Sequence, residues 1–123
     1  MWVGIDLIEI PRFERALARY GPRLLGRVFT PAEVHYCRGR TAELAARFAA
    51  KEAVSKALGV GMRMLAPDGI AWQEAEILGD GRGKPFVWLY GRAAARANEL
   101  GIVEWAVSLS HTRDNAIALV VAR

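Results

Sequence analysis

The spacing of apolar residues changes along the chain, first from a strand pattern to a helical one. Residues 2–8 are mostly apolar and predict a strand, which is interrupted by the charged residue Asp6. Pro11 is well placed to begin a helix that runs to about Tyr20 and ends at Gly21-Pro22. Its predicted core face has i, i+3, i+4, i+7 spacing: Phe13, Ala16, Leu17 and Tyr20.

Two further helices are predicted before the middle of the chain. Thr30 followed by Pro31 and Glu33 has the form of a capping box, and it predicts a short helix to about Arg38. The next helix runs over about residues 42–58, and Gly59 stops it because glycine accepts the left-handed backbone that ends many helices.

The second half of the chain predicts strands more than helices. Strands over 70–78 and 85–90 flank the glycine-rich turn 79–83, and an alanine-rich helix covers about 92–100. A second hairpin, 105–109 and 116–121, closes through residues 110–115. The expected fold is α+β, with the helices early and an antiparallel sheet later, in a single domain over residues 1–123.

Composition narrows the class of protein. No apolar run approaches the length that spans a bilayer, and the N-terminus carries no secretory pattern. Cys37 is the only cysteine, which excludes an internal disulfide and favours a reduced, cytoplasmic protein. The net charge is +4, and eight arginines lie within residues 1–47. This basic N-terminal third of the chain implies an acidic partner, which could be a nucleic acid, a phosphorylated cofactor or an acidic protein.

The helix 42–58 places two ionisable residues beside a face of small side chains. At about 100° per residue its alanines fill one face, with Lys56 between Ala45 and Ala49 and Glu52 next to Phe48. One interpretation is an ordinary i, i+4 pair on the helix surface. The other is a carboxylate that binds a metal and an ammonium that holds a phosphate, which for magnesium requires a second carboxylate.

Asp6 is the candidate for that second carboxylate. It interrupts an apolar strand, and Gly4 beside it permits close approach of a backbone or a ligand. The alternative is an aspartate that caps or turns the end of a short strand.

Two other segments carry candidate chemistry. His111 follows the alternating run 107–110 and could bind a phosphate or move a proton, or it could be a surface histidine. The residues 81–85 could cradle a phosphate through backbone N–H groups and the cations Arg82 and Lys84, but a plain glycine-rich hairpin is equally consistent with their spacing.

These segments together resemble the holo-acyl-carrier-protein synthases, the short bacterial members of the 4′-phosphopantetheinyl transferase superfamily. Three motifs match in order over nearly the whole chain, and Gly83-Lys84-Pro85 matches a lesser one. The three are Gly4-Ile5-Asp6-Leu7, Arg47-Phe48-Ala49-Ala50-Lys51-Glu52-Ala53-Val54-Ser55-Lys56-Ala57-Leu58-Gly59 and Val107-Ser108-Leu109-Ser110-His111-Thr112.

The resemblance implies transfer of phosphopantetheine from coenzyme A to a serine of an acidic acyl carrier protein, with release of adenosine 3′,5′-bisphosphate, in support of fatty acid biosynthesis. Asp6 and Glu52 match the magnesium-binding carboxylates, and Lys56 matches the lysine that contacts the cofactor's phosphates. Residues that match the coenzyme A site are Arg47, Phe48, Ser55, Gly83, Lys84, Pro85, His111 and Thr112. The basic first helix, with Arg12, Arg15 and Arg19, matches the surface that docks the carrier.

The resemblance further implies a homotrimer with sites between neighbouring subunits, for which the alanine-rich faces are suited. Glu52 is expected to deprotonate the carrier serine, directly or through a metal-bound water, and Lys56 to protonate the leaving group. Arg82 departs from the family pattern, and residues 63–71 and 21–28 match it poorly or not at all.

Three alternatives stay open at this point. A nucleic-acid-binding module would explain the arginines, although Asp6 and Glu52 would repel phosphate unless a metal intervened. A non-catalytic subunit would not explain why Asp6, Glu52 and Lys56 are present together. The same transfer chemistry on another carrier, such as a peptide-synthetase domain, is the third, but the short chain favours the fatty-acid carrier protein.

Overall fold

Helices and strands alternate along the part of the chain that this computed structural model describes, residues 1–63 and 67–123. In chain order the elements are β1 (Trp2–Glu9), α1 (Ile10–Tyr20), α2 (Pro22–Val28), α3 (Pro31–Cys37), α4 (Thr41–Leu58), β2 (Ala75–Gly79), β3 (Pro85–Leu89), α5 (Gly91–Glu99), β4 (Trp105–His111) and β5 (Asn115–Ala122), with a 3₁₀ turn over Trp72–Glu74 before β2. The fold is therefore α+β, as the sequence predicts.

A three-stranded antiparallel sheet joins the two ends of the chain. Its order is β1-β5-β4, so the N-terminal strand lies beside the C-terminal one, and Asp6 stands opposite Ala118. A separate two-stranded sheet pairs β2 with β3. Because side chains alternate along a strand, Gly4, Asp6 and Ile8 point to one face of the larger sheet and Ile5 and Leu7 to the other.

Helix α4 packs its alanines against the sheet. Ala45, Ala49, Ala53 and Ala57 are all buried, as are Ala118 and Val120 of β5. Gly4 makes the contact close, because a β-carbon there would overlap the carbonyl oxygen of Ala53. The expectation that Gly4 permits the close approach of a backbone is confirmed.

A buried ion pair ties α4 to α3 and to the segment before β2. Lys51 Nζ lies 2.8 Å from Glu33 Oε1 and donates to the carbonyl oxygens of Trp72 and Ala75, and neither charged side chain is exposed. Glu33 also accepts from the backbone N–H groups of Thr30 and Ile77. Every charged atom thus has partners, which burial of a charge requires.

The predicted helix caps agree with the structure, whereas some predicted strand and helix boundaries do not. The capping box at Thr30 forms, and Gly59 ends α4 with φ 72°. The predicted strand over 70–78 is wrong in its first part: Ile70 makes one isolated bridge to Met62, and β2 begins only at Ala75. Helix α2 was not predicted, and β4 extends to His111.

One placement on α1 differs from the sequence pattern. Tyr20 is exposed rather than part of the core face of α1, because the helix ends there.

Within the segment 63–71, to which the sequence assigned no function, residues 64–66 lie outside the described residues. Of the helices described, none has both the length and the apolar character to cross a membrane.

Candidate active site

The close contact of Gly4 with α4 brings Asp6 against the last turns of that helix. Lys56 Nζ lies 3.0 Å from Asp6 Oδ1 and also donates to the carbonyl oxygen of Ile5, at 2.9 Å. Lys56 therefore pairs with Asp6 across 50 residues of chain. Since Asp6 lies within β1 and is paired with Ala118, the alternative that it caps a strand end is excluded.

Glu52 lies half-buried beside this ion pair. Burial raises the pKa of Glu52 above its ordinary value, the negative charge of Asp6 raises it further, and the positive charge of Lys56 opposes both. A like charge shifts a carboxyl pKa in this direction only when it is near. Asp6 and Glu52 thus form a pair of neighbouring carboxylates, with the ammonium of Lys56 as the cation between strand and helix.

This donor set fits a hard divalent cation. Magnesium binds through one or two carboxylates and takes its remaining ligands from phosphate oxygens and water. Among the described residues there is no group of three or more His, Cys, Asp or Glu side chains that could enclose a metal. An ion held by Asp6 and Glu52 would therefore need further ligands from elsewhere. Two neighbouring negative charges repel each other, and a cation bound between them would relieve this repulsion.

Asp6 also lines a groove of about 520 Å³ between β1, α1 and α2. Arg12 and Glu9 contribute charge to its wall, and the rest is apolar: Leu7, Ile8, Phe13, Ala16, Tyr20, Leu24 and Phe48. The ring of Phe48 is stacked on Trp72, with centroids 4.6 Å apart. The groove is therefore lined by the predicted metal ligand Asp6, the predicted cofactor residue Phe48 and Arg12 of the predicted docking helix.

Part of this groove was not found from the sequence. Leu24 belongs to α2, in the segment 21–28 for which the sequence predicts no element, and Tyr20 is predicted on the core face of α1. The apolar residues Leu24, Leu25 and Val28 follow a helical spacing, which was the available signal. A larger cavity, about 710 Å³, lies between the end of α4 and α5, and none of the predicted site residues lines it.

Arg47 and Ser55 lie inside the subunit. The Arg47 guanidinium, 2% exposed, donates to Ile77 O and to Glu43, and lies over the ring of Tyr36. Ser55 Oγ donates to Glu52 O at 2.7 Å and is fully buried. Their cofactor contact stays a prediction, and a cofactor would reach them only through a change of side-chain position.

The glycine-rich loop 81–85 does not offer a free phosphate cradle. The backbone N–H groups of Arg82 and Lys84 both donate to Asp80 Oδ1, at 2.8 and 2.9 Å. The N–H of Gly83 donates to the Asp80 carbonyl. These three N–H groups are therefore already hydrogen-bonded within the turn, to the side chain or to the carbonyl oxygen of Asp80, whereas the Lys84 and Arg82 side chains remain exposed.

His111 and Thr112 lie at the end of the β4–β5 hairpin. His111 is the last residue of β4 and pairs with Ala116, and the N–H of Thr112 donates to Asn115 O. Since β5 separates β4 from β1, His111 is two strand spacings, roughly 10 Å, from β1. Residues 83–85 and 111–112 are exposed or half-buried, and they are not among the residues that line the groove.

The chain is similar to known proteins over nearly its whole length. A family model of the 4′-phosphopantetheinyl transferase superfamily matches residues 2–120. A holo-[acyl-carrier-protein] synthase of Herpetosiphon aurantiacus is 52% identical over 120 residues, which are 96% of this chain and 94% of that protein.

Solved structures agree with this match. The Helicobacter pylori holo-[acyl-carrier-protein] synthase in complex with coenzyme A superimposes with a TM-score of 0.87 at 30% identity, covering 98% of this chain and 99% of that one. The Neisseria meningitidis enzyme gives 0.86 at 32% identity, covering 99% and 97%. The chain therefore belongs to the 4′-phosphopantetheinyl transferase superfamily, as one of its holo-[acyl-carrier-protein] synthases.

Proposed function

We propose that this protein transfers 4′-phosphopantetheine from coenzyme A to a serine hydroxyl of apo acyl carrier protein and releases adenosine 3′,5′-bisphosphate. The observation that carries the proposal is the meeting of Asp6, Glu52 and Lys56 at the contact between β1 and α4. Two carboxylates and a lysine at one point suit a diphosphate substrate that binds together with a divalent cation. A plain i, i+4 surface pair would not involve Asp6.

Asp6 and Glu52 are the residues that would hold magnesium. When bound, the ion supplies positive charge to the diphosphate of coenzyme A, where negative charge builds up as the phosphoryl group is transferred. Lys56 is more than half exposed, so its ammonium can reach the same phosphates from the helix side.

Glu52 serves as the base and Lys56 as the acid. Glu52 lies next to the position of the reacting phosphate, so it can take up the serine proton directly or through a metal-bound water. The serine oxygen loses its proton to Glu52 and forms a bond to the phosphorus that carries the pantetheine. The bond from that phosphorus to the bridging oxygen breaks, and Lys56 donates a proton to the departing nucleotide.

The carrier docks on α1. Arg12, Arg15 and Arg19 are exposed on this helix, and Arg12 also lines the groove that contains Asp6. An acidic carrier bound there would lie beside the reacting phosphate, so charge complementarity brings the serine to the site. This geometry, with Asp6 and Glu9 at the same groove, does not suit a nucleic-acid backbone.

The active unit is a homotrimer with each site between neighbouring subunits. The outer face of the three-stranded sheet is apolar and exposed on Val3, Ile5, Leu7, Ile117 and Leu119. The alanines of α4, which the sequence suggested for this packing, are instead buried within the subunit. In the trimer the neighbour supplies the coenzyme A contacts of Gly83, Lys84, Pro85, His111 and Thr112, and Phe48 comes from the subunit that holds Asp6.

We place this enzyme in the cytoplasm, in fatty acid biosynthesis, with residues 1–123 as one transferase domain. Its only cysteine, Cys37, is a free thiol, which suits a reducing compartment.

The test is to incubate the protein with coenzyme A, magnesium and apo acyl carrier protein, and to measure the mass of the carrier. A mass gain of one phosphopantetheine is expected, and it should disappear with Glu52→Gln, which keeps the shape of the side chain but can neither bind the ion well nor accept the proton. Glu99→Gln, on the exposed end of α5, is the matched control and should leave transfer unchanged.

Two results would contradict the proposal. If no apo carrier gains mass, the transfer reaction is wrong for this protein. If Glu52→Gln transfers as fast as the unmodified protein, both roles assigned to Glu52 are wrong. If an apo peptide-synthetase domain gains mass but a fatty-acid carrier does not, the transfer reaction is right and the proposed carrier is wrong.

A further inference from the structure

Lys56 is bonded to one of the two Asp6 oxygens that could bind a cation. Its ammonium is 3.0 Å from Asp6 Oδ1 and 2.9 Å from the carbonyl oxygen of Ile5, so two acceptors of β1 hold it in place. The side chain is nonetheless 53% exposed, whereas Asp6 is 20% exposed. The lysine is therefore the more exposed partner, and its long side chain can turn to solvent or to a ligand while the strand stays in place.

A divalent cation and this ammonium compete for Asp6 when no phosphate is bound. An ion on Asp6 Oδ1 would lie within a few ångströms of Nζ, and their repulsion opposes binding even where water screens it. Coenzyme A offers a diphosphate, which attracts the ammonium away from Asp6. Lys56 would then neutralise phosphate charge rather than compete for a carboxylate.

We propose that Lys56 acts as a latch on the cation site, held on Asp6 and Ile5 in the free enzyme and withdrawn by the diphosphate of coenzyme A. The inference rests on the proposed function, because it concerns the same carboxylates. It adds that the cation binds weakly to the free enzyme and strongly with the cosubstrate. By thermodynamic linkage, coenzyme A then raises the affinity for the cation by the same factor by which the cation raises the affinity for coenzyme A.

The latch predicts opposite effects of one substitution on ion binding and on transfer. Lys56→Met removes the ammonium while keeping a long side chain. Mn²⁺ alone should then bind to the free protein roughly ten- to thirtyfold more tightly, since a unit charge about 4–6 Å from a dication is removed in a largely aqueous setting. Transfer should be lost, because the proton donor and phosphate contact are gone.

The measurement is titration with Mn²⁺ alone, followed by electron paramagnetic resonance of the free ion. Arg123→Met is the matched control: it also removes one cation from an exposed ion pair, with Glu104, at the far end of β5 from Asp6, and its Mn²⁺ affinity should match that of the unmodified protein. Lys56→Arg keeps the charge and should stay within about twofold.

An unchanged or weaker Mn²⁺ affinity of Lys56→Met would overturn the latch, as would a tightening of equal size in Lys56→Arg or Arg123→Met. Saturable binding in neither the unmodified protein nor Lys56→Met would overturn it as well. The proposed function fails separately, through the carrier mass assay, which the unmodified protein can pass even if the latch is wrong.

Discussion

Gly4 and Ala53 touch through their backbones, and this contact sets the distance between β1 and α4. A β-carbon at Gly4 would overlap the carbonyl oxygen of Ala53 and press on the N–H of Ala57. Asp6 follows Gly4 by two residues on the same face of β1, and Glu52 precedes Ala53 on α4. The glycine therefore allows the two carboxylates to approach each other.

Gly4→Ala should lower the free energy of unfolding by about 3 kcal/mol, the upper part of the range for overpacking a core. The added carbon meets backbone atoms of a buried helix, which cannot turn aside as a side chain can. Urea denaturation followed by circular dichroism measures the change.

Gly26→Ala is the matched control for this substitution. Gly26 lies within α2, and a β-carbon there meets no atom within 4 Å. Alanine should stabilise the helix by roughly 0.5–1 kcal/mol. Equal stability of Gly4→Ala and Gly26→Ala would show that β1 does not rest on α4 as described.

Lys51→Met should be strongly destabilising, by about 3–5 kcal/mol, the range for removing one member of a buried ion pair. Burial lowers the pKa of Lys51, and the charge of Glu33 works against that shift. Without the ammonium, the Glu33 carboxylate and the carbonyl oxygens of Trp72 and Ala75 lose a shared partner.

The control for Lys51 is again Arg123→Met, since the ion pair with Glu104 is exposed on both sides. Surface substitutions of this kind stay within about 0.5 kcal/mol. Chemical denaturation compares the two variants, and a small loss for Lys51→Met would mean that the buried pair contributes no more than the surface pair.

The parts of the fold that were predictable depend on residues close in the chain. The capping box joins Thr30 to Glu33, and Gly59 follows directly on the helix it ends. The pairing of β1 with β5 and the bond from Lys56 to Asp6 join residues far apart in sequence, and no local pattern encodes them. The pairing of Lys51 with Glu33 is hidden for the same reason.

The candidate site shows the same division. Asp6, Glu52 and Lys56 stand out in the sequence as charges in apolar surroundings, which makes them candidates, and their roles come from the family resemblance. The sequence does not predict which acceptor the N–H groups of the loop 81–85 bind. They could donate to a phosphate or to Asp80, and the outcome depends on the orientation of the Asp80 carboxylate. Helix α2 was missed because it has only seven residues and contains a glycine.

Cys37 should resist thiol reagents in the folded protein. Burial raises the pKa of Cys37, and the nearby Arg47 only partly offsets this, so the reactive thiolate is scarce near neutral pH. A chromogenic disulfide reagent at pH 8 should react with it slowly, and rapidly after denaturation. Fast labelling of the native protein would contradict the burial.

The same shift gives a pH dependence with a definite sign. Because the folded pKa of Cys37 is the higher one, the unfolded chain loses this proton first, and the stabilising contribution of the thiol falls as pH rises through the ordinary thiol range. Denaturation of the unmodified protein and of Cys37→Ala, at several pH values, measures the contribution as a difference. The difference should shrink above that range.

The exposed face of the three-stranded sheet tests the proposed trimer. Leu119 lies at the centre of this face, opposite Ile5 on β1, and is 40% exposed in the single subunit. Leu119→Lys should convert the trimer to monomers, because a lysine at the middle of an apolar interface would be buried without a partner.

Val103→Lys is the control for Leu119→Lys, since Val103 is 87% exposed and lies outside the strands. Sedimentation velocity gives the mass of each species. Transfer should fall with the trimer if neighbours complete the site, whereas an active monomeric Leu119→Lys protein would show that one subunit suffices.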